Sequence, residues 1–267
     1  MAAYKVACVQ LEIKDSDTKA DRIARAEQLM DKAAGANLFV LPEVWNVGWW
    51  CYDQWPSGAE PINGETISRM AAKAKQLNAY ILAGSIVEKA EDGNLYNTSA
   101  LLDPRGKVIA KYSKMHTVAW ESVGALEGKI VQKGKDLVAV KTDDLGVIGL
   151  SICYDLRFPE LYRKLAVHKG VEVFICVAGW AMVRVDDWRC MIHARATENL
   201  CYVIAVNCCG VNRGKQYAGY SRIVNPHGTI IGSGNIYETV VEGKVDIEDV
   251  YKTRKQIPAF EDRCLEV

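Results

Sequence analysis

The run Val147-Ile-Gly-Leu-Ser-Ile-Cys-Tyr-Asp-Leu-Arg-Phe-Pro-Glu160 decides the fold class. Its first six residues read as a buried strand, and Pro159 stands in the first turn of a helix expected to run to Lys169. The all-apolar stretch Val171 to Ala178 follows at once, the pattern of a strand covered on both faces. Strand, helix and strand in that order are the unit of a sheet layered with helices.

The same alternation extends outward from this run. Upstream, a strand from Tyr4 to Ile13 leads to a helix from Lys19 to Ala34 with an apolar stripe of Ile23, Ala26, Leu29, Met30 and Ala33. A strand ending at Glu43, an aromatic loop (Trp45, Trp49, Trp50, Tyr52, Trp55), a helix opening at Gly64 and a strand from Tyr80 to Val87 follow. Asn97 to Leu102 and Lys107 to Tyr112 flank Asp103-Pro-Arg-Gly106, which has the Pro and Gly placement of a tight turn, so the sheet is mixed. Ser113 to Lys135 has no clean period; a long loop of this kind inside a compact domain is usually functional or disordered, and this one is expected to border the active site. Downstream, strands are expected at Leu137–Val140, Cys201–Asn207, Arg222–Asn225, Thr229–Gly232 and Thr239–Val245, with helices at Trp188–Leu200 and Ile247–Gln256.

Composition bounds the function. A chain of 267 residues with 49% hydrophobic residues can bury a large core, and no linker, low-complexity run or repeat divides residues 1–267, so a single domain is expected. With 33 basic and 33 acidic residues there is no global field to recruit nucleic acid or an anionic membrane, and no apolar run is long enough to span a bilayer. Nine cysteines without an apolar signal segment argue for a reducing, cytoplasmic setting with free thiols. Most of them sit in apolar runs, where cysteine behaves as a small hydrophobe.

Three chemistry-bearing residues end buried stretches: Glu43 after Asn37-Leu-Phe-Val-Leu-Pro, Lys114 after Val108-Ile-Ala-Lys-Tyr-Ser, and Cys153 after Val147-Ile-Gly-Leu-Ser-Ile. An acid, an amine and a thiol brought to one rim of a sheet supply a base, a cation and a nucleophile for acyl transfer. Each has a bland reading as well: a core thiol, a paired buried glutamate, a solvated edge lysine. The combination favours a cysteine amidohydrolase. A metal enzyme would draw on His116, His168, His193 and His227, but these are dispersed and lack H-E-x-x-H or C-x-x-C spacing, so no metal or cofactor is expected. A non-catalytic binding protein on the same fold would be expected to lose one of the three residues.

Leu41-Pro-Glu43, Tyr112-Ser-Lys114 and Ile152-Cys-Tyr-Asp-Leu-Arg-Phe-Pro-Glu160 resemble, in order, the three signature segments of the nitrilase (carbon–nitrogen hydrolase) superfamily. His193-Ala-Arg-Ala-Thr-Glu-Asn199 and the stretch ending Ile257-Pro-Ala-Phe-Glu-Asp-Arg263 are similar to its later landmarks. The resemblance implies a four-layer αββα sandwich with two mixed sheets, Glu43 as general base, Lys114 as stabiliser of the tetrahedral intermediate and proton donor, and Cys153 as nucleophile. It also implies a second glutamate followed seven residues later by glycine, which Glu127 and Gly134 satisfy and Glu121 does not, so Glu127 is expected as a fourth catalytic residue, positioning water or holding Lys114. The Tyr154 N–H would help hold the oxyanion, and a homodimer or larger homo-oligomer is implied, with the indoles of the aromatic loop expected at its surface.

The segment from Cys153 to Glu160 looks more like the amidases of ω-amides or deaminated glutathione than like true nitrilases. The expected substrate is therefore a small amide, with N-carbamoyl compounds and nitriles as the other readings. Here the chain also departs from the common pattern: Met115-His-Thr-Val-Ala-Trp-Glu121 replaces an apolar continuation, and Asp187-Trp188 stands where related chains often have His-Trp. Trp180 is expected near the pocket, or else as a packed core aromatic. Arg157 and Arg184 are candidate partners for a substrate carboxylate, although Arg157 could equally pair with Asp155 or Glu160.

Overall fold

The computed structural model describes residues 3–267. In chain order the strands are β1 (Tyr4–Gln10), β2 (Leu38–Val40), β3 (Tyr80–Lys89), β4 (Leu95–Leu102), β5 (Val108–Ser113), β6 (Ala139–Lys141) and β7 (Val147–Ile152). They continue with β8 (Val173–Ala178), β9 (Tyr202–Asn207), β10 (Val211–Asn212), β11 (Lys215–Gln216), β12 (Arg222–Val224), β13 (Ile230–Ser233) and β14 (Thr239–Val245). The helices are α1 (Lys19–Lys32), α2 (Trp55–Gly58), α3 (Glu65–Leu77), α4 (Glu127–Ile130), α5 (Pro159–Lys169), α6 (Val185–Asn199) and α7 (Ile247–Gln256). Thr18 caps α1 through a reciprocal pair, its hydroxyl accepting from the Asp21 N–H at 3.2 Å and its own N–H donating to Asp21 at 2.9 Å. Such a cap contributes about 1 kcal/mol.

Two six-stranded sheets result, in the orders β14-β1-β2-β3-β4-β5 and β13-β12-β9-β8-β7-β6. In the first, β1, β2 and β3 are parallel and the flanking strands antiparallel; in the second, β7, β8 and β9 are parallel. Alternation along the strands assigns the faces. Val6, Cys8, Leu38, Val40 and Leu82 join Leu150 and Ile152 in a core between the sheets. Ala7, Val9, Phe39 and Ile81 point the other way, onto Ile23 and Met30 of α1 and Ile67 and Met70 of α3. On the far side of the second sheet, Tyr162 of α5 meets Phe174 at 4.9 Å between ring centroids and shares a 2.7 Å hydrogen bond with Ser151. The layers run helix, sheet, sheet, helix, the αββα sandwich that the resemblance implied.

Several boundaries differ from the sequence reading. β1 ends at Gln10 rather than Ile13, with Glu12 making only an isolated bridge to Cys209. β2 covers three residues and stops before Pro42, whose nitrogen cannot donate to a ladder, so Glu43 lies in the following turn. α6 starts at Val185 instead of Trp188, and its first turn carries Asp186 and Asp187, which suit the positive end of the helix. The hairpin of β10 and β11 was not foreseen; it turns through Arg213 and Gly214, both left-handed at φ +52° and +70°, as a two-residue hairpin loop requires. The aromatic loop is also not a surface feature. Trp45, Trp49 and Trp55 are buried, with Trp45 Nε1 donating to the Ala83 carbonyl at 2.9 Å and Trp55 Nε1 to that of Gly48 at 3.2 Å.

The fold brings strand ends of both sheets to one rim. The Glu43 N–H, just past β2, donates to the Ala178 carbonyl at the end of β8 across the sandwich at 3.4 Å. Residues leaving the carboxyl ends of parallel strands are in the usual place for chemistry in sheets of this kind.

Candidate active site

Each candidate side chain is held by its local backbone. Glu43 sits in a turn pinned to β3, where the Val44 N–H donates to Ser85 Oγ and the Ser85 N–H to the Pro42 carbonyl, both at 3.1 Å. Lys114 leaves β5 with its N–H on the Asn97 carbonyl and its own carbonyl accepting from the Gly134 N–H, each at 2.8 Å. A Cβ at Gly134 would fall 2.0 Å from the Ser113 carbonyl oxygen, so only glycine allows this approach. That contact closes the loop carrying Glu127 and explains why a glycine follows it at a fixed spacing. Cys153 turns from β7 into a 3-10 turn over Cys153–Arg157 with φ at +48°, a left-handed conformation that is strained for a side chain of this type.

Glu43, Lys114 and Glu127 meet in one buried network with no exposed surface on any of the three. Lys114 Nζ lies 2.7 Å from Glu43 Oε1 and 3.0 and 2.9 Å from the two Glu127 oxygens. The Asn97 amide donates to Glu43 Oε1 at 2.8 Å and to Glu127 Oε1 at 2.7 Å, while the Gly179 N–H reaches Glu43 Oε2 at 2.7 Å and the Val118 N–H reaches Glu127 Oε2 at 2.8 Å. Burial acts against the ammonium, but Glu127 and Glu43 outweigh it and hold Lys114 well above its ordinary pKa. Burial is likewise the largest influence on Glu127 and raises it, with Lys114 opposing. Cys153, 6% exposed, is pushed well above the usual thiol range by burial and then by Glu43, against the pull of Lys114. The resting thiol therefore carries its proton at neutral pH.

Asn97 and the N–H groups of Gly179 and Val118 were not singled out from sequence. Glu121, the rejected alternative to Glu127, is exposed and ion-paired to Lys129.

A pocket of about 430 Å³ of empty space opens onto Cys153, walled by Trp49, Trp50, Trp120, Tyr154 and Trp180. Trp180 is 5% exposed and its indole N–H donates to the Arg184 carbonyl at 2.8 Å, so it is both a packed aromatic and part of the wall. Arg157 and Arg184 also line the pocket. Neither internal pairing considered for Arg157 forms: its guanidinium binds Asp187 at 2.5 Å. Asp155 is taken instead by Tyr112 Oη at 2.7 Å, the Ile152 N–H at 2.9 Å and the His116 ring at 2.7 Å. Among the described residues no group of three or more His, Cys, Asp or Glu side chains is arranged to hold a metal, and no helix is long and apolar enough to cross a membrane.

An αββα sandwich with an acid, an amine and a thiol at one rim defines a thiol hydrolase of the nitrilase type. The carbon–nitrogen hydrolase family model matches residues 5–255, and the chain belongs to that family. It is 32% identical to a 2-oxoglutaramate amidase of Bacillus subtilis, covering 97% of each chain. It is 30% identical to human omega-amidase NIT2 over 98% of this chain and 96% of the relative. Among solved structures, a carbon–nitrogen hydrolase superfamily protein of Xanthomonas campestris, with an arsenic adduct in its active site, superposes with a TM-score of 0.90 at 27% identity, covering 100% and 99% of the two chains.

Proposed function

We propose that the chain hydrolyses the terminal amide of a small acid through a thioester on Cys153, releasing ammonia. The observation that carries this reading is the buried network of Lys114 between Glu43 and Glu127 beside a pocket that opens onto Cys153. Glu43 Oε2 accepts one hydrogen bond, from Gly179, and keeps a lone pair for a proton. Because the resting thiol is protonated, attack requires transfer of the Sγ proton to Glu43 as sulfur bonds to the carbonyl carbon. The oxyanion that forms is met by Lys114 Nζ and the Tyr154 N–H; the first N–H groups of a helical turn have no partner within the turn. Collapse expels ammonia with the proton from Glu43. Water, deprotonated by the same carboxylate, then attacks the thioester, releasing the acid and restoring the thiol. In this reading Glu127 orients Lys114 and does not itself transfer the proton.

The amidase activities named for the relatives support an amide of a short dicarboxylic or keto acid as the lead substrate. Trp180, Trp49 and Trp120 around the nucleophile suit a small or planar acyl group. A panel of α-ketoglutaramate, succinamate, deaminated glutathione, N-carbamoyl compounds and aliphatic nitriles, read by ammonia release and product mass, tests it. Preference for a nitrile or an N-carbamoyl compound by more than about tenfold in kcat/KM, roughly 1.4 kcal/mol, would overturn the amide assignment.

A cytoplasmic setting and a homo-oligomer belong to the same proposal. The nine cysteines, all free, support a reducing compartment. With Trp45, Trp49 and Trp55 buried and Trp50 in the pocket wall, support for self-association comes instead from Tyr251, Ile257 and Leu265, exposed at 47%, 45% and 83% near the C-terminus. Light scattering on the purified protein reads the state directly.

A further inference from the structure

We propose that Tyr217 is a positioning residue that sets the width of the acyl pocket. It holds the wall of Trp49 and Trp50 against that of Trp180 through a buried hydrogen-bond relay to Asn212. The inference rests on the amidase reading above and names a determinant of specificity that does not itself line the pocket. Tyr217 and Asn212 have no exposed surface. The Tyr217 hydroxyl accepts from the Trp49 N–H and donates to Asn212 Oδ1, both at 3.1 Å, and Asn212 Nδ2 donates to Asp15 at 2.7 Å. On the other wall, the Ala218 N–H donates to the Trp180 carbonyl at 2.7 Å, and Tyr217 makes a β-bridge to Ala181. The short segment leaving β11 therefore grips both sides of the pocket.

This grip extends to the reacting groups. A Cβ on Gly179 would fall 2.9 Å from Trp49 Cβ and 3.4 Å from Tyr217 Cε1, so both aromatics pack on the residue whose N–H holds Glu43. The Trp49 ring also lies beneath Lys114 Nζ, 5.9 Å from its centre. A shift of Trp49 thus changes the space beside the scissile carbonyl. Replacing Tyr217 by phenylalanine strands the buried Trp49 N–H, which regains a partner only if the wall moves. The tip of the β10–β11 hairpin is tied separately: Arg213 reaches the two Asp53 oxygens at 3.1 and 2.9 Å on the surface, where an ion pair contributes little. The buried relay, and not this clasp, fixes the wall.

The test compares succinamate with a succinamate that carries a phenyl group on the carbon beside the amide. Wild-type enzyme is expected to favour the unsubstituted compound by about tenfold or more in kcat/KM. Tyr217→Phe should cut that preference about fivefold or more, chiefly through a lower KM for the phenyl compound, with kcat for succinamate within about threefold of wild type. Asn212→Ala, which removes the acceptor and leaves the phenol, should shift the preference in the same direction. Arg213→Ala should keep it within about twofold of wild type. Equal losses on both amides in Tyr217→Phe and Asn212→Ala would mark a structural role and overturn the proposal, as would an unchanged preference in both or its loss in Arg213→Ala. A wild-type enzyme that cleaves both amides without preference defeats this inference alone, whereas one that cleaves neither these nor the wider amide panel defeats the functional reading beneath it.

Discussion

Lys114 Nζ stands 2.7 Å from Glu43 Oε1, and neither side chain has any exposed surface. With Glu127 on its other side, the lysine is the only described cation between two buried carboxylates. Its removal affects both stability and chemistry. Breaking a buried pair by deleting one partner costs about 3–5 kcal/mol because the remaining charge is left uncompensated. Losing an oxyanion donor costs on the order of 100- to 1,000-fold in rate. Lys114→Met is expected to lower both the melting temperature and kcat. An unchanged melting temperature would contradict the ion-pair account, and near-wild-type turnover would contradict the assigned role.

The two loop glutamates should separate cleanly. Glu127→Gln is expected to depress kcat by at least tenfold with a smaller effect on substrate binding, because Glu127 holds Lys114 through both carboxylate oxygens. Glu121→Gln should be mild, since its pairing with Lys129 is exposed and such pairs contribute little. Steady-state kinetics of the two variants decide the matter, and a reversed order would show that the loop has been assigned wrongly.

Asn97 offers a test that the sequence reading did not anticipate. Its amide nitrogen bridges Glu43 and Glu127, so Asn97→Asp places a third carboxylate among two others and removes the shared donor. Loss of a buried hydrogen-bond partner costs about 1–3 kcal/mol. Asn97→Asp should therefore be less stable than wild type by thermal denaturation and should lose activity more severely than Asn97→Leu. Equivalence of all three proteins would remove the bridge from the account.

Why Asn97 was missed follows from the fold. Glu43, Lys114 and Cys153 were legible because each ends an apolar run, a local pattern that survives without knowing the sheet order. Asn97 lies inside β4, and its approach to Glu43 and Glu127 depends on β3 and β4 pairing and on the loop returning through Gly134. The Gly179 N–H reaches Glu43 across 136 residues and between two sheets. The Arg157–Asp187 pair likewise joins the turn after β7 to the first turn of α6, a contact outside the internal alternatives that the motif offered. The layers themselves were readable from alternating strand and helix patterns, while Pro42 shortened β2 and the aromatic loop folded inward around the pocket.

The Cys153 thiol makes a prediction about pH. Its pKa is raised in the folded protein, by burial first and then by Glu43, above the roughly 8.5 of an unfolded thiol. The folded state thus holds this proton more tightly than the unfolded state does. The stability it contributes is complete below about pH 8.5 and is lost as pH rises towards the folded value. Melting temperatures measured from about pH 7 to 10.5 should fall more steeply for wild type than for Cys153→Ala. Parallel curves would contradict the raised value.

The proposed mechanism stands on a covalent intermediate at Cys153. Rapid acid quench during succinamate turnover, followed by intact-mass and peptide analysis, measures it directly. A succinyl mass on the Cys153 peptide, absent from Cys153→Ala together with turnover, is the expected result. Undiminished ammonia release by Cys153→Ala, or an acyl group found on another cysteine, would contradict it.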